Sequence, residues 1–183
     1  AAVAPPARQL ADLGAIVEEV DPGFADPVEM FHTHWFAGAY NALMALREEK
    51  RKLLDPGLVQ TFEQGAAIPL KTYLQAMNAR GQLGVMMKQF HEKYDLLVTP
   101  SLAVLAFEAG RLAPPEMGDA YWTAWTPFSY PFNLTQQPAI SVPCGFSQSG
   151  LPIGLQLVGP MNRDDLVLRA AAAYEAVTDW RKR

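Results

Sequence analysis

An α/β fold, with a sheet flanked by helices and incomplete within these residues, is predicted from three features of the 183-residue sequence. Helix-spaced apolar positions and capping residues dominate residues 1–94. Short apolar runs bounded by turn residues follow from residue 95. Nine of the fifteen prolines lie between Pro100 and Pro160, where long regular helix is therefore excluded. Residues 1–94 read as mainly helical, and 95–183 as strands, Pro-rich loops and a final helix, within a single domain.

Composition narrows the function. Half of the residues are hydrophobic and 19% charged, which excludes a disordered chain and permits a sizeable core. The net charge of −4 and pI near 5.3 argue against a phosphate-binding surface, so no nucleic-acid partner is expected. Uncharged stretches are interrupted before the ~20 apolar residues of a membrane span, and no secretory signal is visible. One cysteine excludes an internal disulfide framework and any Cys-based zinc finger. A cytoplasmic protein is expected, with no membrane association and neither metal nor cofactor.

The elements follow in order. Pro6 to Leu13 reads as a short helix ended by Gly14, a residue that tolerates positive φ. Ala15 to Val20 reads as a strand. Asp26-Pro27-Val28-Glu29 is a capping-box start for a helix to about Leu54, ending in Arg47, Lys50, Arg51 and Lys52. Asp55-Pro56 repeats the cap-then-proline device for a helix toward Gly65. Pro69 opens a long helix with an apolar face of Tyr73, Leu74, Met77, Leu83, Met87 and Phe90. Asp95 to Thr99 is a buried strand. Ala139 to Val142 and Ile153 to Val158 form a hairpin around Ser147-Gln148-Ser149-Gly150, and Asp164-Asp165 opens the last helix.

Searching these elements for chemistry gives mostly exclusions. His32 and His34, two apart on a helix, point in different directions and cannot share a metal. They read as a helix-surface or interface pair. His91, at a helix end, suits the dipole there. Cys144 has no base placed beside it by the sequence and reads as a buried strand-end thiol. Gly145 to Gly150 falls one residue short of a nucleophile elbow and is explained by the hairpin turn. Trp122, Trp125, Phe128, Tyr130 and Phe132 form an aromatic, Pro-broken segment. It is either core packing or the wall of a substrate pocket.

Four blocks resemble the C-terminal third of amidase signature enzymes. They are Asp95-Leu96-Leu97-Val98-Thr99-Pro100, Pro131-Phe132-Asn133-Leu134-Thr135, Pro138 to Phe146, and Gly150 to Gly159. The helix from Leu166 through Ala170 to Glu175 agrees, as do Gly65, Tyr73, Ala76, Arg80 and the Leu10 to Val20 segment. The resemblance implies part of a mixed sheet flanked by helices, and hydrolysis of C–N bonds other than peptide bonds.

The catalytic machinery implied by the resemblance is a nucleophilic Ser, a cis-Ser and a Lys base. No position here matches any of them, and no two serines are adjacent. No catalytic residue is therefore assigned. The expectation is a C-terminal portion whose N-terminal portion is missing, inactive alone, with exposed apolar surface that favours homo-oligomers. Trp122, Trp125, Thr126, Phe128, Ser129 and Asn133 are expected to bind a small neutral amide. Thr126 stands where the A subunits of glutamine-dependent amidotransferases carry an acid, which favours the simple amidase over that alternative. A further alternative is a non-catalytic scaffold with the same fold. Thr135-Gln136 replaces the Thr-Gly that follows Asn-Leu in the family, so a locally different turn is expected there.

Overall fold

A computed structural model describes residues 4–117 and 121–179. Its centre is a three-stranded antiparallel sheet in the order β1-β3-β2, formed by β1 (Leu97–Pro100), β2 (Ala139–Phe146) and β3 (Pro152–Val158). The β2–β3 hairpin forms where the sequence predicts it. Gly150 takes φ +80° and donates its amide to the Ser147 carbonyl at 2.9 Å, closing the turn. A register shift between Pro143 and Gly145 leaves Cys144 as the extra residue of a bulge.

Period-two alternation gives the sheet two unlike faces. Val98, Ile140, Val142, Leu155 and Leu157 pack with Leu10 of α1 (Ala4–Asp12) and with Ala171 and Tyr174 of α7 (Asp164–Val177). On the other face, Leu97 and Val158 meet Met87 of α5 (Leu70–Lys93) and Phe132 of α6 (Tyr130–Thr135). A third cluster, Phe31, Leu83, Tyr130 and Leu134, joins α2 (Val28–Leu43) to α5 and α6.

Local signals explain the starts of two helices. Asp55 accepts the Gly57 amide at 2.8 Å, and Pro56 opens α4 (Pro56–Ala66). Asp26 likewise accepts the Val28 amide, at 3.1 Å, although the helix starts one residue later than the capping box predicts. The expected run to Leu54 is corrected: α2 ends at Leu43, and only a four-residue helix, α3 (Glu48–Arg51), follows. The basic residues there serve this second short helix. Arg51 also turns back to donate to the Leu46 carbonyl at 2.9 Å.

The expected strand from Ala15 to Val20 is corrected too. These residues form no helix or strand in the structure, and Ile16 is 93% exposed. A strand needs a neighbouring ladder for its amides, and no described strand pairs with this segment. It is tethered instead by Glu18, which accepts from Tyr94 Oη at 2.8 Å and faces Lys93.

The turn after α6 is closed by a residue other than glycine. Gln136 adopts φ 57°, ψ 34° and donates its amide to the Phe132 carbonyl. The backbone thus takes the left-handed conformation that glycine adopts most readily. Glutamine occupies it at a steric cost of about 1 kcal/mol.

Candidate functional site

The aromatic segment is built from a 3₁₀ turn at Trp122–Trp125 followed by α6. Pro127 separates the 3₁₀ turn from α6, and Pro131 sits in the first turn of α6, where its missing N–H costs nothing. Trp122 packs edge-on against Phe31 at 6.1 Å and Trp35 at 5.6 Å between ring centroids. Trp125 turns another way, donating its indole N–H to the Leu112 carbonyl at 2.9 Å and contacting Phe107. Thr126 is buried, and its hydroxyl donates to the Thr123 carbonyl at 3.2 Å. Phe128 and Ser129 are half-buried, whereas Asn133 is exposed on α6.

The six residues assigned to substrate binding therefore share one continuous segment but meet different neighbours. Trp122 joins the α2 cluster, Trp125 the 107–112 loop, and Asn133 the surface. A groove of about 760 Å³ lies between α5 and the turn after α6, and none of the six residues lines it. Met77, Arg80, Met87, His91, Leu134 and Gln136 line it.

Sequence reasoning missed the groups that hold the segment in place. Gln156, a lone amide in the apolar run of β3, donates through Nε2 to Thr99 Oγ1 at 2.9 Å and to the Phe128 carbonyl at 2.7 Å. Its polarity in an otherwise apolar run is the signal that could have found it. Tyr130 donates to Asp26 Oδ1 at 2.6 Å; burial first, and this carboxylate second, push its phenol pKa up. His32 Nε2 lies 2.8 Å from Thr123 Oγ1. The two helix histidines are thus interface residues, with His32 facing the 3₁₀ turn and His34 facing Tyr73 of α5.

Cys144 packs against the core, and burial pushes its thiol pKa up, away from the thiolate a nucleophile needs. Among the described residues no group of three or more His, Cys, Asp or Glu could hold a metal. No described helix is long and apolar enough to cross a membrane.

His91 sits at the rim of the groove in a tight polar network. Its Nδ1 lies 2.8 Å from the Tyr94 carbonyl, and its Nε2 lies 2.7 Å from Gln137 Nε2. Gln137 also donates to the Gly159 carbonyl at 3.1 Å and accepts from Thr135 Oγ1 at 2.7 Å. These neighbours require a neutral ring, with the proton on Nδ1 and the Nε2 lone pair facing the amide. The expected dipole role is corrected accordingly. Burial lowers the His91 pKa, partly opposed by the Tyr94 carbonyl and Asp95.

His34 is lowered as well, by burial and then by Arg80's charge, against a raising contribution from the Ala76 backbone. Both folded values lie below the ordinary 6.5. As pH falls through 6.5 the unfolded chain takes up these protons first, so stability is lost on acidification and kept above 6.5. Urea midpoints are expected to drop between pH 7 and pH 5. The drop should be shallower in His91→Gln; an identical pH slope in the variant would contradict this reading.

The Amidase family model matches residues 1–168. Over 177 residues the chain is 34% identical to an acylamidase of Rhodococcus erythropolis, a match covering 92% of this chain and 36% of that protein. It is 33% identical over 159 residues to the A subunit of the glutamyl-tRNA(Gln) amidotransferase of Gloeothece citriformis, covering 87% and 30%. The fold is shared with 6-aminohexanoate cyclic dimer hydrolase, at a TM-score of 0.83 and 23% identity, over 100% of this chain and 41% of that one. The chain spans about a third of the length of these curated relatives. With the match running over residues 1–168, it belongs to the amidase family.

Proposed function

We propose that the protein containing this chain hydrolyses small, neutral, apolar amides to a carboxylate and ammonia or an amine. Residues 122–133 form one wall of its substrate pocket. The Ser–cis-Ser–Lys triad lies in sequence outside this chain, in an N-terminal portion that is its principal partner. That portion covers apolar residues exposed on α5, such as Leu74 and Val85. The activity needs no cofactor, takes place in the cytoplasm and involves neither nucleic acid nor membrane. Apolar surface left uncovered favours a homo-oligomer.

The observation that carries this reading is charge. No Asp, Glu, Lys or Arg occurs between Tyr121 and Asn162. Trp122, Trp125 and Phe128 supply aromatic area, and Thr126, Ser129 and Asn133 supply uncharged hydrogen-bonding groups. A buried ionic substrate would find no counter-charge on this wall. Thr126, buried and uncharged, also disfavours the alternative of an amidotransferase component, which needs an acid there to pair with the substrate ammonium.

Comparing kcat/KM for hexanamide with 6-aminohexanamide and adipic acid monoamide tests the proposal in the intact protein. Unpaired burial of either charge should cost about a hundredfold or more. Equal rates, or a preference for a charged amide, would overturn it.

A further inference from the structure

The sheet and the aromatic segment meet at a single buried amide. Gln156 alternates with Leu155 and Leu157 on β3, so it faces away from α1 and α7, on the side of Val158. In the ladder it stands between Thr99 of β1 and Ser141 of β2, and it is 9% exposed. A carboxamide buried in an apolar strand is costly unless it is partnered. Both protons of its Nε2 are used, one on Thr99 Oγ1 and one on the Phe128 carbonyl.

Direction is fixed as well as position. Thr99 Oγ1 donates its own proton to the Pro100 carbonyl at 3.0 Å, so toward Gln156 it only accepts. The Phe128 carbonyl also only accepts. The amide therefore has one orientation, with its nitrogen between two acceptors. No described backbone amide donates to the Phe128 carbonyl; the next carbonyl, that of Ser129, takes the Asn133 amide.

Other side chains hold the flanks of the segment. His32 meets Thr123, Trp125 donates to Leu112, and Tyr130 donates to Asp26. From Thr126 to Ser129, the described side-chain bond that comes from outside the segment is that of Gln156. Thr126, Phe128 and Ser129 are three of the six residues assigned to the substrate wall, so this tether sits where the wall has least other support.

We propose that Gln156 is a positioning residue: acting through the Phe128 carbonyl, it sets the place of Phe128 and Ser129 over the sheet and so the fit of the substrate. The inference rests on the proposed amide hydrolysis with residues 122–133 as a pocket wall.

The test uses the intact protein with Gln156→Met, which keeps length and volume without the hydrogen bonds. KM for hexanamide should rise about three- to tenfold, with kcat per folded molecule changed less than about twofold. Thr99→Val, which frees one side of the amide, should raise KM less and add nothing further in the double variant. An unchanged KM, a loss that only tracks the amount of folded protein, or additive effects of the two substitutions would overturn the proposal. Hydrogen–deuterium exchange of the intact protein needs no substrate. Peptides covering residues 122–133 should exchange about three- to tenfold faster in Gln156→Met, while those of α7 stay at the wild-type rate. Unchanged exchange would sink the tether even if the wild type cleaves hexanamide. Faster exchange in a protein whose wild type cleaves no neutral amide would support the tether while the proposed hydrolysis fails.

Discussion

Leu157→Ala is expected to destabilise the protein by about 3 kcal/mol or more, within the range for a fully buried leucine. Leu157 has 0% exposure and lies on the central strand, between β1 and β2. It packs in the cluster that ties the sheet to α1 and α7. Truncation removes apolar contact and leaves a cavity that two hydrogen-bonded neighbouring strands cannot close. Urea denaturation of the variant beside the wild type measures the change. A loss under about 1 kcal/mol would mean that this face of the sheet is not the core described.

Gly65→Ala should cost about 2–3 kcal/mol although it adds a single methyl group. Gly65 is buried on α4 where that helix crosses α2. A Cβ there would overlap the Phe36 carbonyl oxygen and stand 2.7 Å from Tyr40 Cβ. The obstacle is mostly helix backbone, so relief requires the two helices to separate. Gly81→Ala, at an exposed position of α5, is the matched control, because nothing lies within 4 Å of its added Cβ. It should stabilise by about 0.5–1 kcal/mol through helix propensity. Similar effects from both substitutions, read as shifts in urea midpoint, would contradict the close approach of α2 and α4.

The contrast between these glycines marks what the sequence could reveal. Signals confined to a few neighbouring residues were legible: the Asp55-Pro56 cap, the turn at Gly150, and the alternating runs of β2 and β3. Features decided by distant contacts were not. Ala15 to Val20 has strand composition but no partner strand among the described residues. The break after Leu43 lies inside a pattern that reads as continuous helix.

The uncharged, aromatic character of residues 121–162 was legible as composition. The groups that support the segment were not. Gln156 reaches Phe128 across 28 residues, and Tyr130 reaches Asp26 across 104. Spacing along the chain carries no information about such pairs. The family blocks were readable because they lie in β1, the hairpin and α6, each a short run of residues contiguous in the chain.

In the proposed enzyme this chain supplies a pocket wall while the reacting groups lie elsewhere in the protein. The direct measurement is turnover of 4-nitroacetanilide by the 183-residue chain alone and by the protein with its upstream sequence present. Without a matching nucleophile or base the chain alone should release no 4-nitroaniline above the buffer rate, and the longer protein should turn over. Turnover by the chain alone that persists in Cys144→Ala would contradict the account. Turnover that vanishes with Cys144→Ala would instead make that thiol the nucleophile and overturn its structural role.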